Sequence, residues 1–173
     1  CPYVLASHKI LQNLKKDGYR IIIFGDKRHP EIKGLLGIAD DAVVVDSIDE
    51  LKSLNLKDLR VGVLAQTTRS RADFSKIVGY LASRDFKEVR VFNTICRDTE
   101  IRQDCVSELA DEVDLMLIIG GKNSANTRHL ADIARRKKVP AYHIESEKEL
   151  KKGWLKNKLR IGVASGASTP EYI

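Results

Sequence analysis

Landmarks in the first half of this sequence return in the second half, in the same order, at a spacing of 95 to 100 residues. Cys1 and Cys96 stand 95 positions apart, and at that spacing the apolar run Ile21-Ile22-Ile23-Phe24-Gly25 is matched by Leu117-Ile118-Ile119-Gly120. The polar loops that follow, Asp26-Lys27-Arg28-His29 and Gly121-Lys122-Asn123-Ser124, align at the same spacing. Val45-Asp46-Ser47-Ile48-Asp49-Glu50-Leu51 meets Ile144-Glu145-Ser146-Glu147-Lys148-Glu149-Leu150 at 99, and both contain Ser-x-x-Glu, a capping box that opens a short helix. Leu59-Arg60-Val61-Gly62-Val63 meets Leu159-Arg160-Ile161-Gly162-Val163 at 100, each running into hydroxyl residues, Thr67-Thr68 and Ser168-Thr169. A chain that repeats its strand, loop and cap signals in order is an internal duplication. Two lobes are expected, residues 1–94 and 95–173.

Within each copy the pattern alternates helix and strand. Ile10, Leu11 and Leu14 lie at helical spacing over about Ala6 to Lys16, and Gly18 is a C-terminal stop. Arg20 to Phe24 is an apolar, β-branched run suited to a strand covered on both faces. Pro30 fits the first position of a helix and Glu31 its first turn, which puts His29 and Glu31 at a strand mouth. Ala42–Val45 and Arg60–Leu64 read as further strands, and Phe74, Ile77, Val78 and Leu81 form one helical face. Val89 to Cys96 is a β-type run that brings a thiol to the start of the next helix, through Val106, Leu109 and Ala110. The second copy then repeats strand, loop, helix, strand, capping-box helix and strand. The expected class is α/β: two pseudo-repeated lobes, each a small, mostly parallel sheet with helices on both faces. Ligands of such sheets bind beyond the carboxyl ends of the strands, where His29, Glu31, Thr67, Cys96, Ser124, Asn126 and Ser168 fall.

Composition narrows the function classes. With 173 residues, 43% of them hydrophobic, the chain has enough apolar matter for a core. No apolar run is long enough to span a membrane and no signal peptide is present, so no membrane partner is expected. Three cysteines without scaffold spacing point to a reducing compartment and thiolate chemistry. The net charge of +6 with few aromatics and no RNA- or DNA-binding motif argues against nucleic acid and leaves room for a small anion. Free backbone N–H groups at a strand-to-helix junction stabilise thiolate, and the duplication sets Cys1 and Cys96 at two such junctions. The first copy lacks the strand that precedes Cys96 in the second, and no initiator Met is present, so a further N-terminal copy is expected. A third copy related by threefold pseudosymmetry supplies a third cysteine, and three cysteines on four irons leave one iron open.

Seven motifs carry a more specific resemblance: Cys-Pro at 1–2, His-Pro-Glu at 29–31, Gln-Thr-Thr at 66–68, Asn-Thr-Ile-Cys at 93–96, Arg-Gln at 102–103, Gly-x-Asn-Ser-x-Asn at 121–126 and Gly-Ala-Ser-x-Pro at 166–170. Together they resemble the LytB family, the 4-hydroxy-3-methylbut-2-enyl diphosphate reductases, over essentially the whole chain. The resemblance implies a three-lobed α/β fold around a 4Fe-4S cluster, of which this chain supplies the second and third lobes. By resemblance Cys1 and Cys96 are metal ligands, the third cysteine and two further histidines lying in the first lobe. Glu31 is the proton-delivery carboxylate and Thr67 the hydroxyl linking it to the substrate alcohol. His29, Ser124, Asn126 and Ser168 bind the diphosphate or line its pocket, with Thr68, Asn123 and Ala125 as further substrate-side positions. Family members often carry a second serine at Ala125. The implied partners are a diphosphate substrate and an electron donor such as ferredoxin or flavodoxin, in the cytoplasm or a plastid.

Each residue has a plainer reading. His29, Thr67, Thr68, Ser124 and Asn126 are also what helix starts use. A free cysteine is among the most buried of residues. Cys105, without a counterpart in the first copy, reads as a structural thiol, and Tyr142 and Trp154 as packing residues. Two other function classes stay open: another three-lobed 4Fe-4S enzyme such as a quinolinate synthase, and a cluster-free module binding a phosphorylated metabolite.

Overall fold

The computed structural model describes residues 1–170 and divides into two compact units, Cys1–Cys96 and Arg97–Ile173. In the first, α1 (Pro2–Lys16) starts earlier than its apolar periodicity because Pro2 occupies the first helical position behind Cys1. It ends where Gly18 takes φ +72°. There the Gly18 N–H reaches Lys15 O at 3.1 Å and the Tyr19 N–H reaches Leu14 O at 3.0 Å, the Schellman pairing. Next come β1 (Arg20–Phe24), α2 (Pro30–Leu36), β2 (Val43–Val45), α3 (Ile48–Lys52), β3 (Arg60–Ala65), α4 (Arg71–Ala82) and β4 (Glu88–Phe92). The sheet is parallel throughout, in the order β2-β1-β3-β4. Side chains alternate across it. Ile22, Phe24, Val61, Val63 and Ala65 pack with Phe74, Ile77 and Leu81 of α4, whereas Ile21, Ile23 and Leu64 pack with Leu11 and Leu14 of α1 and Ile32 and Leu35 of α2. Each fully buried Leu or Ile contributes about 1.5–3 kcal/mol, against about 1–2 kcal/mol to fix one residue's backbone, so covering both faces is what makes short strands stable.

The second unit holds α5 (Arg97–Glu112), β5 (Leu115–Ile119), α6 (Ala125–Arg136), β6 (Ala141–Ile144), a 3₁₀ turn at Glu147–Glu149, α7 (Lys152–Leu155) and β7 (Ile161–Ser165). Its sheet is parallel in the order β6-β5-β7. Val106 and Ala110 of α5 and Leu130, Ala131 and Ala134 of α6 pack on Met116 and Ile118 of β5.

The duplication read from the motifs is present in the strand registers. Ile22 pairs with Val63 and with Val43 in the first sheet, and Leu117 pairs with Val163 and with Tyr142 in the second, the partners standing 95, 100 and 99 positions on. Helix packing repeats too. A Cβ on Gly62 would lie 2.6 Å from Leu14, and one on Gly162 would lie 3.1 Å from Leu109, the residue 95 beyond Leu14. In each lobe a helix presses a leucine onto a bare glycine of the third strand.

Two local expectations change. The β-type run toward Cys96 is a strand only to Phe92, because side chains then replace the ladder. The Ala65 N–H donates to Thr94 Oγ1 at 2.9 Å, the Thr94 hydroxyl donates to Ala65 O, and Asn93 Oδ1 accepts the Ile95 N–H at 3.2 Å. The second capping box does not form as the first does. Ser47 accepts the Glu50 N–H at 3.3 Å, whereas Ser146 makes no side-chain cap and its segment is a single 3₁₀ turn. What both copies share is the glutamate: Glu50 accepts the Asp46 N–H at 3.1 Å and Glu149 the Glu145 N–H at 3.0 Å. Among the described residues no helix is long and apolar enough to cross a membrane.

Candidate functional site

In the first unit the chemistry-bearing groups gather past the ends of β1 and β3. His29 caps α2 with Nδ1 accepting the Glu31 N–H at 3.2 Å. A backbone amide can only donate, so a neutral His29 ring carries its proton on Nε2 and offers it outward as a donor. Glu31, in the first turn of α2, spans to the residue after β3: Oε1 accepts the Thr67 N–H at 2.9 Å and Oε2 accepts the Thr67 hydroxyl at 2.7 Å. The hydroxyl can also accept, so a protonated carboxyl can donate across the same contact while the hydroxyl turns its own proton elsewhere. Thr67, 5% exposed, passes the connection on, its carbonyl accepting the Cys96 N–H at 2.8 Å. Carboxylate, hydroxyl and cysteine backbone thus form one hydrogen-bonded line across three segments that are distant in sequence.

Gln66 and Asp26 frame this line. Gln66 Oε1 accepts the Asp26 N–H at 2.9 Å and Gln66 Nε2 donates to Thr68 Oγ1 at 2.8 Å. Asp26 in turn accepts the Arg28 N–H on Oδ1 at 2.9 Å and the His29 N–H on its carbonyl at 2.9 Å. The Arg28 amide held against it keeps the Asp26 carboxyl below its ordinary value. Gln66 and Thr94 were quoted in sequence motifs without a role; both prove to be buried connectors, and no periodicity signals a buried polar side chain.

The second unit repeats the turn with different chemistry. Ser124 caps α6, its Oγ accepting the Thr127 N–H at 3.3 Å, and its own N–H reaches Gly121 O at 2.9 Å as His29 reaches Asp26. Gly120 holds φ +142°, and a Cβ there would strike the Thr169 hydroxyl. The loop is fastened by the Lys122 N–H on Glu145 Oε1 at 2.7 Å and by the Lys122 ammonium on Glu149, a contact that raises the Lys122 pKa and lowers that of Glu149. Asn126 stands where the repeat places Glu31. It is 5% exposed, yet neither its Oδ1 nor its Nδ2 has a hydrogen-bond partner, and residue 167, opposite in the repeat to Thr67, is an alanine. A buried carboxamide with both ends unpaired is an exception among buried polar groups, which are nearly always hydrogen-bonded. Asn123 and Ser168 are exposed, and Ala125 offers only a methyl group.

All three cysteines are free. Cys1 is exposed in front of α1 and Cys96 half-buried directly before α5. Two soft thiolates fit part of an iron-sulfur ligand set, and no described group of three or more His, Cys, Asp or Glu side chains makes a complete metal site. Cys105, read as a structural thiol, is exposed on α5. Tyr142 and Trp154 stack at 3.9 Å between centroids.

These features define an α/β protein of duplicated parallel-sheet lobes that presents thiol, carboxylate, hydroxyl and carboxamide groups at strand ends. The family model described as LytB protein matches residues 1–173, and the chain belongs to the LytB family. It is 47% identical over 173 residues to the 4-hydroxy-3-methylbut-2-enyl diphosphate reductase of a Nitratiruptor species, covering 100% of this chain and 62% of that one. To the enzyme of that name from Aquifex aeolicus it is 44% identical, covering 61% of the relative. Among solved structures, the E-1-hydroxy-2-methyl-but-2-enyl-4-diphosphate reductase from Plasmodium falciparum superposes with TM-score 0.92 at 29% identity, covering 99% of this chain and 55% of that one. This chain therefore spans about 62% of the length of the first relatives it matches.

Proposed function

We propose that the full-length protein to which this chain belongs is a 4-hydroxy-3-methylbut-2-enyl diphosphate reductase. The reaction takes two electrons and two protons, breaks the allylic C–O bond, forms a C–H bond, and releases water with isopentenyl or dimethylallyl diphosphate. The observation that carries the reading is the line Glu31–Thr67–Cys96: the carboxylate bonded to the Thr67 hydroxyl and N–H, and the Thr67 carbonyl to the backbone N–H of Cys96, at 2.7 to 2.9 Å.

Cys1 and Cys96 are two ligands of a 4Fe-4S cluster whose third thiolate comes from outside this chain. When bound, the cluster supplies the electrons and a Lewis-acidic iron for the leaving oxygen. Glu31 holds the proton that the departing hydroxyl takes, handing it over through Thr67 Oγ1 as a general acid. The Thr67 N–H on Oε1 keeps the carboxyl aimed at that hydroxyl. His29, through Nε2–H, and Ser124, Asn126 and Ser168 are the diphosphate donors of this reading, with Thr68, Asn123 and Ala125 as further substrate-side positions; N–H groups and neutral donors stabilise the anion without fixed cations. A small redox protein, ferredoxin or flavodoxin, delivers the electrons in the cytoplasm or a plastid.

The test is anaerobic reconstitution of the full-length protein followed by reduction of the allylic diphosphate with a chemical electron donor. Product formation with Cys96→Ser stripped of iron and Cys105→Ser intact supports the reading. An iron-loaded protein that leaves the diphosphate unreduced removes it.

A further inference from the structure

The Gln-Thr-Thr motif contributes Thr67 and Thr68 to the proposed site, and Gln66 has no part in that proposal. It is 1% exposed and both ends of its amide are engaged. The Asp26 N–H at 2.9 Å can only donate, so the Gln66 oxygen must face it. That fixes the flip of the amide, and its nitrogen must then donate to Thr68 Oγ1 at 2.8 Å. With Thr68 Oγ1 accepting there, the hydroxyl's own proton points away from Gln66.

The same side chain suspends the loop that ends in His29. Gln66 Oε1 holds Asp26, and the Asp26 carbonyl holds the His29 N–H at 2.9 Å. Gly25 allows this approach: a Cβ there would lie 3.1 Å from Gln66 Oε1 and 2.6 Å from Ile32. The fold does not require a glutamine. In the second lobe the same register and the same turn are built with Gly166 in this place, the Gly166 N–H reaching Ile119 O as the Gln66 N–H reaches Phe24 O. A Cβ on Gly166 would meet the Thr127 hydroxyl.

We infer that Gln66 is a positioning residue: its amide turns the Thr68 hydroxyl into a donor toward the diphosphate and sets the loop that presents His29. The inference rests on the function proposed above. The experiment is steady-state kinetics on the anaerobic full-length holoenzyme, with variants Gln66→Glu, Gln66→Met, Thr68→Val and the double variants. Gln66→Glu keeps an acceptor for Asp26 and replaces the donor to Thr68 by an acceptor, which draws the hydroxyl proton inward. KM rises about tenfold, the scale of one lost ligand hydrogen bond, with kcat within about threefold. As pH falls the introduced carboxyl protonates, regains an O–H donor and brings KM back toward the parent, a recovery the parent does not show. In the Thr68→Val background Gln66→Glu, which keeps the acceptor for Asp26, raises KM no further, whereas Gln66→Met, which also releases the Asp26 loop, adds a loss through His29. The uncharged Gln66→Met separates loss of the donor from simple repulsion of the diphosphate, and thermal melts confirm that each variant is folded.

An additive loss in the Gln66→Glu/Thr68→Val double variant, or a parental KM in Gln66→Glu or in Thr68→Val, overturns the role of Gln66 alone. A parent holoenzyme that does not reduce the diphosphate overturns the functional reading and this inference together.

Discussion

At the scale of single residues, Glu31 is where the proposed mechanism is most exposed to test. Its two oxygens accept from Thr67 N–H and Oγ1, and a carboxamide of the same shape can take the first contact but carries no transferable proton. Glu31→Gln in the full-length holoenzyme therefore keeps its iron content and binds substrate within about tenfold of the parent, while turnover falls by about a hundredfold or more. Single-turnover reduction with a chemical donor isolates that step from electron supply. If Glu31 served only the first turn of α2, its replacement would cost about 0.3–1 kcal/mol of stability and leave the rate alone. Parental single-turnover rates would leave Thr67 as the proton source. Asn126 shows how the duplication separates roles at one repeat position. Where Glu31 has a hydroxyl and an amide to satisfy it, Asn126 has neither.

At the scale of elements, the two leucine-on-glycine contacts make a paired prediction. Gly62→Ala drives a methyl group against Leu14, which is 2% exposed and has nowhere to move, so it destabilises the first lobe by about 1–3 kcal/mol. Gly162→Ala meets Leu109 and the Met116 sulfur, and methionine adapts its rotamers, so the second lobe loses less. Urea melts of the two variants compare them; an equal or reversed order removes the argument. At the outer strand, the Tyr19 hydroxyl and the guanidinium groups of Arg90 and Arg60 hold the Glu88 carboxyl down from 4.5 to about 2. A carboxyl depressed on folding contributes stability above its unfolded pKa, and that contribution is lost as pH falls from 4.5 toward 2. Glu88→Gln lowers stability at neutral pH and flattens the loss between pH 4.5 and 2, as circular dichroism melts against pH report.

The paired strands were legible in the sequence because apolar β-branched runs and glycines are local signals, and two copies at fixed spacing vouch for each other. Pro30 and Glu31 announced the start of α2, and the strand ends before them and before Thr67 brought the two side chains within reach. What the sequence could not carry is decided by tertiary hydrogen bonding. Nothing local tells that Thr94 ends β4 by occupying Ala65, that Glu50 and Glu149 reach back to the residue before the cap, or that Gln66 faces inward. Cys105, read as a structural thiol because the first copy has no counterpart, is exposed on α5, a burial state that the repeat does not predict.

At the scale of the whole molecule, one cysteine per lobe junction sets a limit on what this chain holds by itself. Cys1 and Cys96 both precede helices, Cys105 lies within α5, and the relatives are longer by the share this chain does not cover. Iron-sulfur cubanes are retained by three or four thiolates, and two leave more than one iron to solvent and to loss. This chain, reconstituted anaerobically with iron and sulfide, therefore emerges from gel filtration with well under about four irons per monomer, while the full-length protein keeps them. Iron and labile sulfide per chain, with light scattering on the same fractions, make the measurement. Scattering is needed because a dimer pools thiols and gains stability by mass action with concentration, so any retained cluster has to be assigned to a monomer or a pair. In a monomer, Cys96→Ser abolishes whatever iron remains and Cys105→Ser does not. About four irons held by a monomeric chain, or loss of iron with Cys105→Ser instead, would show that the ligand set is not the one the repeated junctions define.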